Sequence, residues 1–141
     1  MRTLLFAAPL VAVFASVSIA QQPSNGVGRT PRGRVVSGLY SVTFGGSELC
    51  KEAPSDASAA FETQFARFQK TYPKLLKLLT EAPEYDQTRR GFSQSLAENR
   101  PATTHETRAD ECQALTHLLQ SMLDEPAGRN AFQEYQEILA K

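Results

Sequence analysis

The sequence predicts a mainly α-helical fold: a small bundle of four or five helices with a short N-terminal β strand or hairpin and one disulfide. Three observations support this prediction. After Ser55 the apolar residues recur at spacings of three and four, which is the period of an amphipathic helix. Proline residues divide that region into segments of helix length. The chain has two cysteines, Cys50 and Cys112, which are far enough apart to join distant parts of a bundle.

Residues 1–20 have the layout of a cleavable secretory signal. Arg2 and the amino terminus supply a short positive start, residues 4–15 are mostly apolar, and Ser18 and Ala20 supply small side chains before the cleavage point. The apolar run is too short to span a bilayer comfortably. An uncleaved anchor is the alternative, but the small residues favour cleavage. We therefore expect a secreted or periplasmic protein with no stable membrane insertion after cleavage.

Charge argues against a protein that binds nucleic acid. The chain has 15 basic and 15 acidic residues, so loss of Arg2 with the leader would leave a net charge near minus one. Nucleic-acid binders need a strongly basic surface. Residues 21–34 are rich in Gly, Pro, Ser and Arg, with Val27 as an isolated apolar residue, and they predict a flexible basic leader.

Residues 35–46 predict a strand or a small hairpin. Within them Val36, Tyr40, Val42 and Phe44 alternate with Ser37, Leu39, Ser41 and Thr43. This is a period of two, rich in strand formers. A lone strand has unpaired backbone groups, so it must pair with itself, lie across the helices or meet another molecule. We therefore interpret Val36, Tyr40, Val42 and Phe44 as a candidate partner-binding strand edge.

Residues 47–141 predict the helical domain, and its first helix begins near Ser55 or Asp56, either of which can cap it. The inner stripe of that helix carries four aromatic rings, from Phe61, Phe65, Phe68 and Tyr72. Leu75, Leu76 and Leu79 continue the same phase. Pro73 predicts either a kink near Gln69 or a break, with a second helix starting at Pro73.

The remaining helices are bounded by further breakers. Pro83 ends the leucine-rich segment, and a weaker helix with Tyr85, Phe92 and Leu96 on its apolar side runs to Asn99. Thr103 or Thr104 then caps a longer helix. Its inward stripe comprises Ala109, Cys112, Leu115, Leu119, Met122 and Leu123. Pro126 opens the last helix, which buries Phe132, Tyr135, Ile138 and Leu139.

The two cysteines predict one intramolecular disulfide. Exported proteins meet oxidising surroundings, and Cys112 lies on the apolar stripe of its helix. A redox motif would place the thiols two residues apart, and a metal site would need at least two more ligands at short spacing. An intermolecular pair of bonds remains an alternative.

Residues that could carry chemistry form no coherent catalytic, cofactor or metal site. His105 and His117 would be about 18 Å apart on one helix, so they cannot share a metal ion. The segment HETRADEC lacks the second histidine of the zinc-protease helix. Glu106, Asp110 and Glu111 are interpreted as a solvated helix face, with Glu106 or Asp110 pairing with Arg108. No catalytic residue and no cofactor is assigned.

Basic residues at helical spacing supply the second candidate surface. Lys70, Lys74 and Lys77 repeat at four and three, which predicts a ridge beside or opposite the apolar stripe. Such a ridge suits an acidic partner or an anionic membrane surface, against the simpler interpretation of a solvated face.

The sequence therefore predicts an exported, non-catalytic binding protein, such as an inhibitor, immunity protein or adaptor, whose partner is another protein. A self-associating structural protein of the envelope, forming a homo-oligomer through the same strand or through the exposed side of the helix that carries Tyr85, is the alternative. A small hydrolase using His105, Glu106 or Asp110 is the least favoured hypothesis.

Overall fold

The structure, a computed structural model, describes residues 27–141, and no strand occurs among them. Seven α-helices follow one another in this part of the chain: α1 (Pro31–Val42), α2 (Phe44–Cys50), α3 (Ser55–Thr71), α4 (Pro73–Glu81), α5 (Tyr85–Asn99), α6 (His105–Asp124) and α7 (Pro126–Leu139). Single turns of 3-10 helix precede α1 and follow α5. The mainly helical class with one disulfide is confirmed.

The strand or hairpin predicted for residues 35–46 is wrong, because these residues form most of α1 and the start of α2. Pro31 occupies the first turn of α1, and the Thr30 hydroxyl caps it by accepting a bond from the Gly33 amide at 2.9 Å. Leu39 decides between the two periods. A strand would place it opposite Val36, whereas in the helix the two share one face and are 1% and 0% exposed.

The flexible leader predicted for residues 21–34 also needs correction at its C-terminal end. Val27–Arg29 form the 3-10 turn, and α1 starts at Pro31. Gly33 is buried, and Arg32 is tied to Glu84, the residue before α5, by a contact of 2.7 Å. Residues 1–26, which include the predicted signal sequence, lie outside the described residues.

The break predicted at Pro73 is confirmed, with a second helix starting at Pro73. The alternative, one continuous helix kinked near Gln69, does not form. Tyr72 leaves helical geometry with φ −125° and ψ 51°, and α4 starts at Pro73. Proline has no amide hydrogen, so it costs little at a first helical position but would interrupt a helix interior. The chain therefore changes direction between α3 and α4.

Of the two predicted helix caps, the structure contains one. Thr104 caps α6, since its hydroxyl accepts from the Thr107 amide at 3.1 Å. At α3 the residue in the cap position is Pro54, which offers no side-chain acceptor, and Ser55 already lies in the helix. The carboxylate of Asp56 in the first turn still favours this end of the helix dipole.

The core lies where the predicted apolar stripes meet. α3 packs mainly against α6, α7 covers α4 and α6, and α1 and α2 close the remaining side. The rings of Phe68 and Phe132 meet edge to face with their centroids 5.1 Å apart. The largest fully buried side chains come from five of the helices: Leu39, Phe61, Phe68, Leu75, Leu79, Leu119 and Phe132.

The predicted disulfide joins the end of α2 to the middle of α6. Cys50 and Cys112 are bonded, their Cα atoms are 5.1 Å apart, and both residues are 0% exposed. Their separation of 62 positions makes this bond a closure between the two halves of the described chain. Within residues 27–141, no helix combines the length and the apolar character that a membrane crossing requires.

Candidate partner-binding surface

The four residues of the predicted strand edge lie in the core of the monomer. Val36 is 0%, Tyr40 2% and Val42 8% exposed, while Phe44 is half-buried. Their amides and carbonyls belong to helices, so this segment has no strand edge to add to a partner's sheet. The sequence-based interpretation of these residues as a docking strand is corrected to that of core residues.

An aromatic cluster explains why Tyr40 is buried. Its ring packs edge to face on Tyr85 and on Phe92, in both cases with centroids 5.6 Å apart. The packing is tight at Gly45, where a β-carbon would lie 3.0 Å from the Tyr40 ring and 3.1 Å from that of Phe92. Burial, reinforced by the carboxylate of Glu48, raises the pKa of Tyr40 well above its ordinary value. The phenol is therefore a neutral core group at ordinary pH.

Lys70, Lys74 and Lys77 are all exposed. Lys70 lies near the end of α3 and the other two lie on α4, so the break at Tyr72 divides the single helical ridge that their spacing predicts. None of the three has a carboxylate within 4.0 Å in residues 27–141. We refer to Lys70, Lys74 and Lys77 together as the lysine face.

Acidic residues are missing from the stretch that carries the lysine face. Residues 63–80 contain four basic residues and no Asp or Glu. The fourth basic residue, Arg67, is neutralised by Asp124 at the end of α6, with a contact of 2.6 Å. Glu81, one turn after Lys77 on α4, is the next carboxylate along the chain, and it forms no ion pair with Lys77 within 4.0 Å.

The base of the lysine face is rigid and closed to solvent. Leu75 and Leu79, on the other side of α4, are both 0% exposed. Tyr72, which is half-buried, packs at a tilt against Phe132, with ring centroids 4.8 Å apart. This contact attaches the junction of α3 and α4 to α7. The lysine side chains are exposed to solvent, and the helices from which they extend pack against the core.

Sequence reasoning missed the most buried charged group of the described chain. The side chain of Arg108 is 3% exposed, and its Nη1 donates to Glu111 at 2.7 Å. Its Nε lies 3.9 Å from Glu52, which in turn accepts a bond from Arg100 at 2.5 Å. The partners predicted for Arg108, Glu106 and Asp110, are instead exposed. The available signal was its position four residues before the inward-facing Cys112, on the same side of α6.

The remaining candidates for chemistry lie on the surface of α6. His105 and Glu106 form its first turn and are exposed, and His117 is exposed as well. Among residues 27–141 there is no group of three or more His, Cys, Asp or Glu side chains that could hold a metal ion.

Comparison with protein-family models, with curated proteins and with solved structures finds no match to this chain.

Proposed function

We propose that this chain is an exported, non-catalytic binding protein that docks an acidic protein through the lysine face. The observation that carries the proposal is the exposure of Lys70, Lys74 and Lys77, none of which has a carboxylate within 4.0 Å among the described residues. An inhibitor, an immunity protein or an adaptor would each use such a surface.

The disulfide supports the compartment in this proposal. Structural disulfides persist in oxidising environments such as the periplasm and the exterior of the cell, and they are rare in the reducing cytosol. The fully buried Cys50–Cys112 bond is of the structural kind, because it ties the core rather than lying exposed in a cleft.

Charge complementarity favours a protein as the partner over an anionic membrane. A membrane-binding helix inserts an apolar face into the bilayer, but Leu75 and Leu79 of α4 are fully buried in the core. Three lysines alone add only about 1 kcal/mol each at an anionic membrane surface. A protein partner can instead place carboxylates opposite fixed positions, which gives orientation and fast association.

Glutamate substitutions at Lys70, Lys74 and Lys77 test the proposal. The matched control exchanges three other basic residues that are exposed and without an ion pair in the described chain, Lys51, Arg90 and Lys141. Both triple variants change the net charge by the same amount. The probes are poly-glutamate, vesicles containing phosphatidylglycerol, and the purified form of any protein cross-linked to the wild type in its own exported fraction.

The proposal expects binding to the purified partner and to poly-glutamate to weaken about tenfold or more in the lysine-face variant, a loss of about 1.4 kcal/mol. In the control variant binding should stay within about twofold. Equal losses in the two variants would show that only net charge matters and would overturn the proposal. Binding to vesicles without binding to poly-glutamate or to any cross-linked protein would assign the surface to a membrane instead.

A further inference from the structure

The disulfide is sealed from solvent in the described fold. Cys50 and Cys112 are both 0% exposed, so a thiol in solution cannot reach either sulfur without some opening of the protein. Proteins open locally as well as globally, and local opening has the lower free energy where few apolar contacts hold a segment. The segment that covers the bond therefore decides how the bond is reached.

We call residues 51–57 the cover: they are the loop after Cys50 and the first turn of α3, and they reach the bond at Ala57. The carbonyl oxygen of Ala57 lies 3.4 Å from the sulfur of Cys112. Ala53 and Ala57 are the buried apolar side chains of this segment, 7% and 6% exposed. A methyl group buries little apolar area, so apolar burial holds the cover only weakly.

Glu52 supplies the polar attachment of the cover. One oxygen of its carboxylate accepts from Arg100 Nε at 2.5 Å, and the other lies 3.9 Å from Nε of Arg108. Arg108 is on α6, one turn before Cys112, and is itself held by Glu111. Glu52 thus connects the cover to the helix that carries the second cysteine.

This attachment is half-satisfied. Glu52 Oε2 and Arg108 Nη2 are both buried, and neither has a hydrogen-bond partner among the described residues. Buried polar atoms without a partner are unfavourable, and opening the cover would return them to water. This hydration gain offsets part, but not all, of the stabilisation that Glu52 receives from Arg100 and Arg108, so the segment opens at a lower free energy than the whole domain unfolds, and closure still depends on those two contacts.

We propose that Glu52 is a latch that controls the access of small thiols to the Cys50–Cys112 disulfide. When the cover opens, the thiolate of a small thiol attacks one of the two sulfurs. A mixed disulfide forms, the protein S–S bond breaks, and the other cysteine leaves as a thiolate that takes up a proton. A second small thiol then releases the protein, so that two protein thiols and one small disulfide are formed in a two-electron exchange.

The experiment measures the rate of disulfide reduction in the intact protein under native conditions. Glu52→Gln removes the charge of the latch with almost no change in volume. Glu62→Gln is the matched control, because Glu62 is likewise a carboxylate that ties two elements together, α2 and α3, through a hydrogen bond from Ser47 at 2.5 Å, and it forms no ion pair with Arg100 or Arg108. Arg100→Ala, at a residue 61% exposed, is a second variant that loosens Glu52 without altering the buried charge.

Two thiols of opposite charge, glutathione and cysteamine, distinguish two causes of faster reduction: easier opening of the cover, and weaker electrostatic repulsion of the attacking thiol. An open latch speeds reduction by both thiols alike, whereas loss of a negative charge near the bond favours the anionic thiol and disfavours the cationic one. We expect Glu52→Gln to react about tenfold faster with both thiols, Arg100→Ala to be intermediate, and Glu62→Gln to stay within about twofold of the wild type.

Low concentrations of urea provide the second measurement. Reduction through local opening is nearly independent of urea, while reduction through global unfolding rises with the full slope of the unfolding transition. A wild-type rate that follows the full slope would overturn the proposal. So would equal rates in Glu52→Gln and the wild type, or changes of opposite sign with the two thiols.

Discussion

Gly128 lies so close to Met122 that no side chain fits there: a β-carbon at Gly128 would be 2.3 Å from both the Cα atom and the carbonyl oxygen of Met122. α6 ends at Asp124 and α7 starts at Pro126, so the first turn of α7 is pressed against the last turn of α6. The obstacle is backbone, which cannot turn aside as a flexible side chain can.

Gly128→Ala should therefore lower the free energy of unfolding by about 1–3 kcal/mol, because α6 and α7 must separate to admit the methyl group. Urea denaturation measures the change. Gly38→Ala is the control, since Gly38 is exposed in the interior of α1 and a β-carbon there meets nothing within 4 Å. That variant should gain about 0.5–1 kcal/mol from helix propensity. Equal stabilities for the two variants would contradict the close approach.

Removal of the disulfide should cost much of the stability of the domain. The bond closes a loop across 62 positions, and on the chain-entropy model this contributes about 4 kcal/mol. The double variant Cys50→Ala/Cys112→Ala should lose about that amount in urea denaturation, with the helical circular dichroism retained at low temperature if the core still folds. A loss below about 1 kcal/mol would mean that the unbonded chain already holds these segments together.

The two arginines that contact Glu52 should differ in how much each contributes to the stability of the domain. Arg108 is 3% exposed and Arg100 is 61% exposed. Arg108→Ala leaves the carboxylates of Glu52 and Glu111 without their buried partner and should lower stability by about 3–5 kcal/mol. Arg100→Ala, at an exposed pair screened by water, should lower it only slightly. Thermal unfolding of both variants checks the contrast, which similar losses would refute.

Tyr40 makes the protein sensitive to alkali. Burial and Glu48 raise its pKa in the folded state above the ordinary value of 10.0, so the unfolded chain releases this proton first. The contribution of Tyr40 to stability is complete below pH 10 and is lost as the pH rises from there towards the folded-state pKa. In Tyr40→Phe the decline in stability over this range should be shallower, as measured by urea denaturation at a series of alkaline pH values. An unchanged pH profile would show that other groups cause the decline.

The sequence by itself determined the helices after Ser55, because their signals are local. Apolar residues at spacings of three and four mark one face of each helix, and Pro73 and Pro126 open helices where a missing amide hydrogen does not matter. The sequence also predicted a disulfide between the two cysteines, with an intermolecular pair of bonds as the alternative, and the structure contains the intramolecular bond.

The N-terminal segment was misread because its residues suit both periods. Val36, Tyr40 and Val42 are strand formers, and a stretch of ten residues with such side chains fits an alternation as readily as a helix stripe. In the folded chain the helix places Leu39 beside Val36 in the core, and burial of this shared face outweighs the intrinsic preference for a strand.

Only the tertiary structure decided which charged side chains are buried in ion pairs and which are exposed. In the sequence, Arg108 is one more polar residue on an acidic helix. Its burial depends on Glu111 and on Glu52, and Glu52 belongs to the loop between α2 and α3, far from Arg108 along the chain. The cost of burying a charge is set by the partners that folding assembles around it, and those partners have no period or spacing along the chain. Lys70, Lys74 and Lys77 are exposed, and folding brings no carboxylate within 4.0 Å of them among residues 27–141.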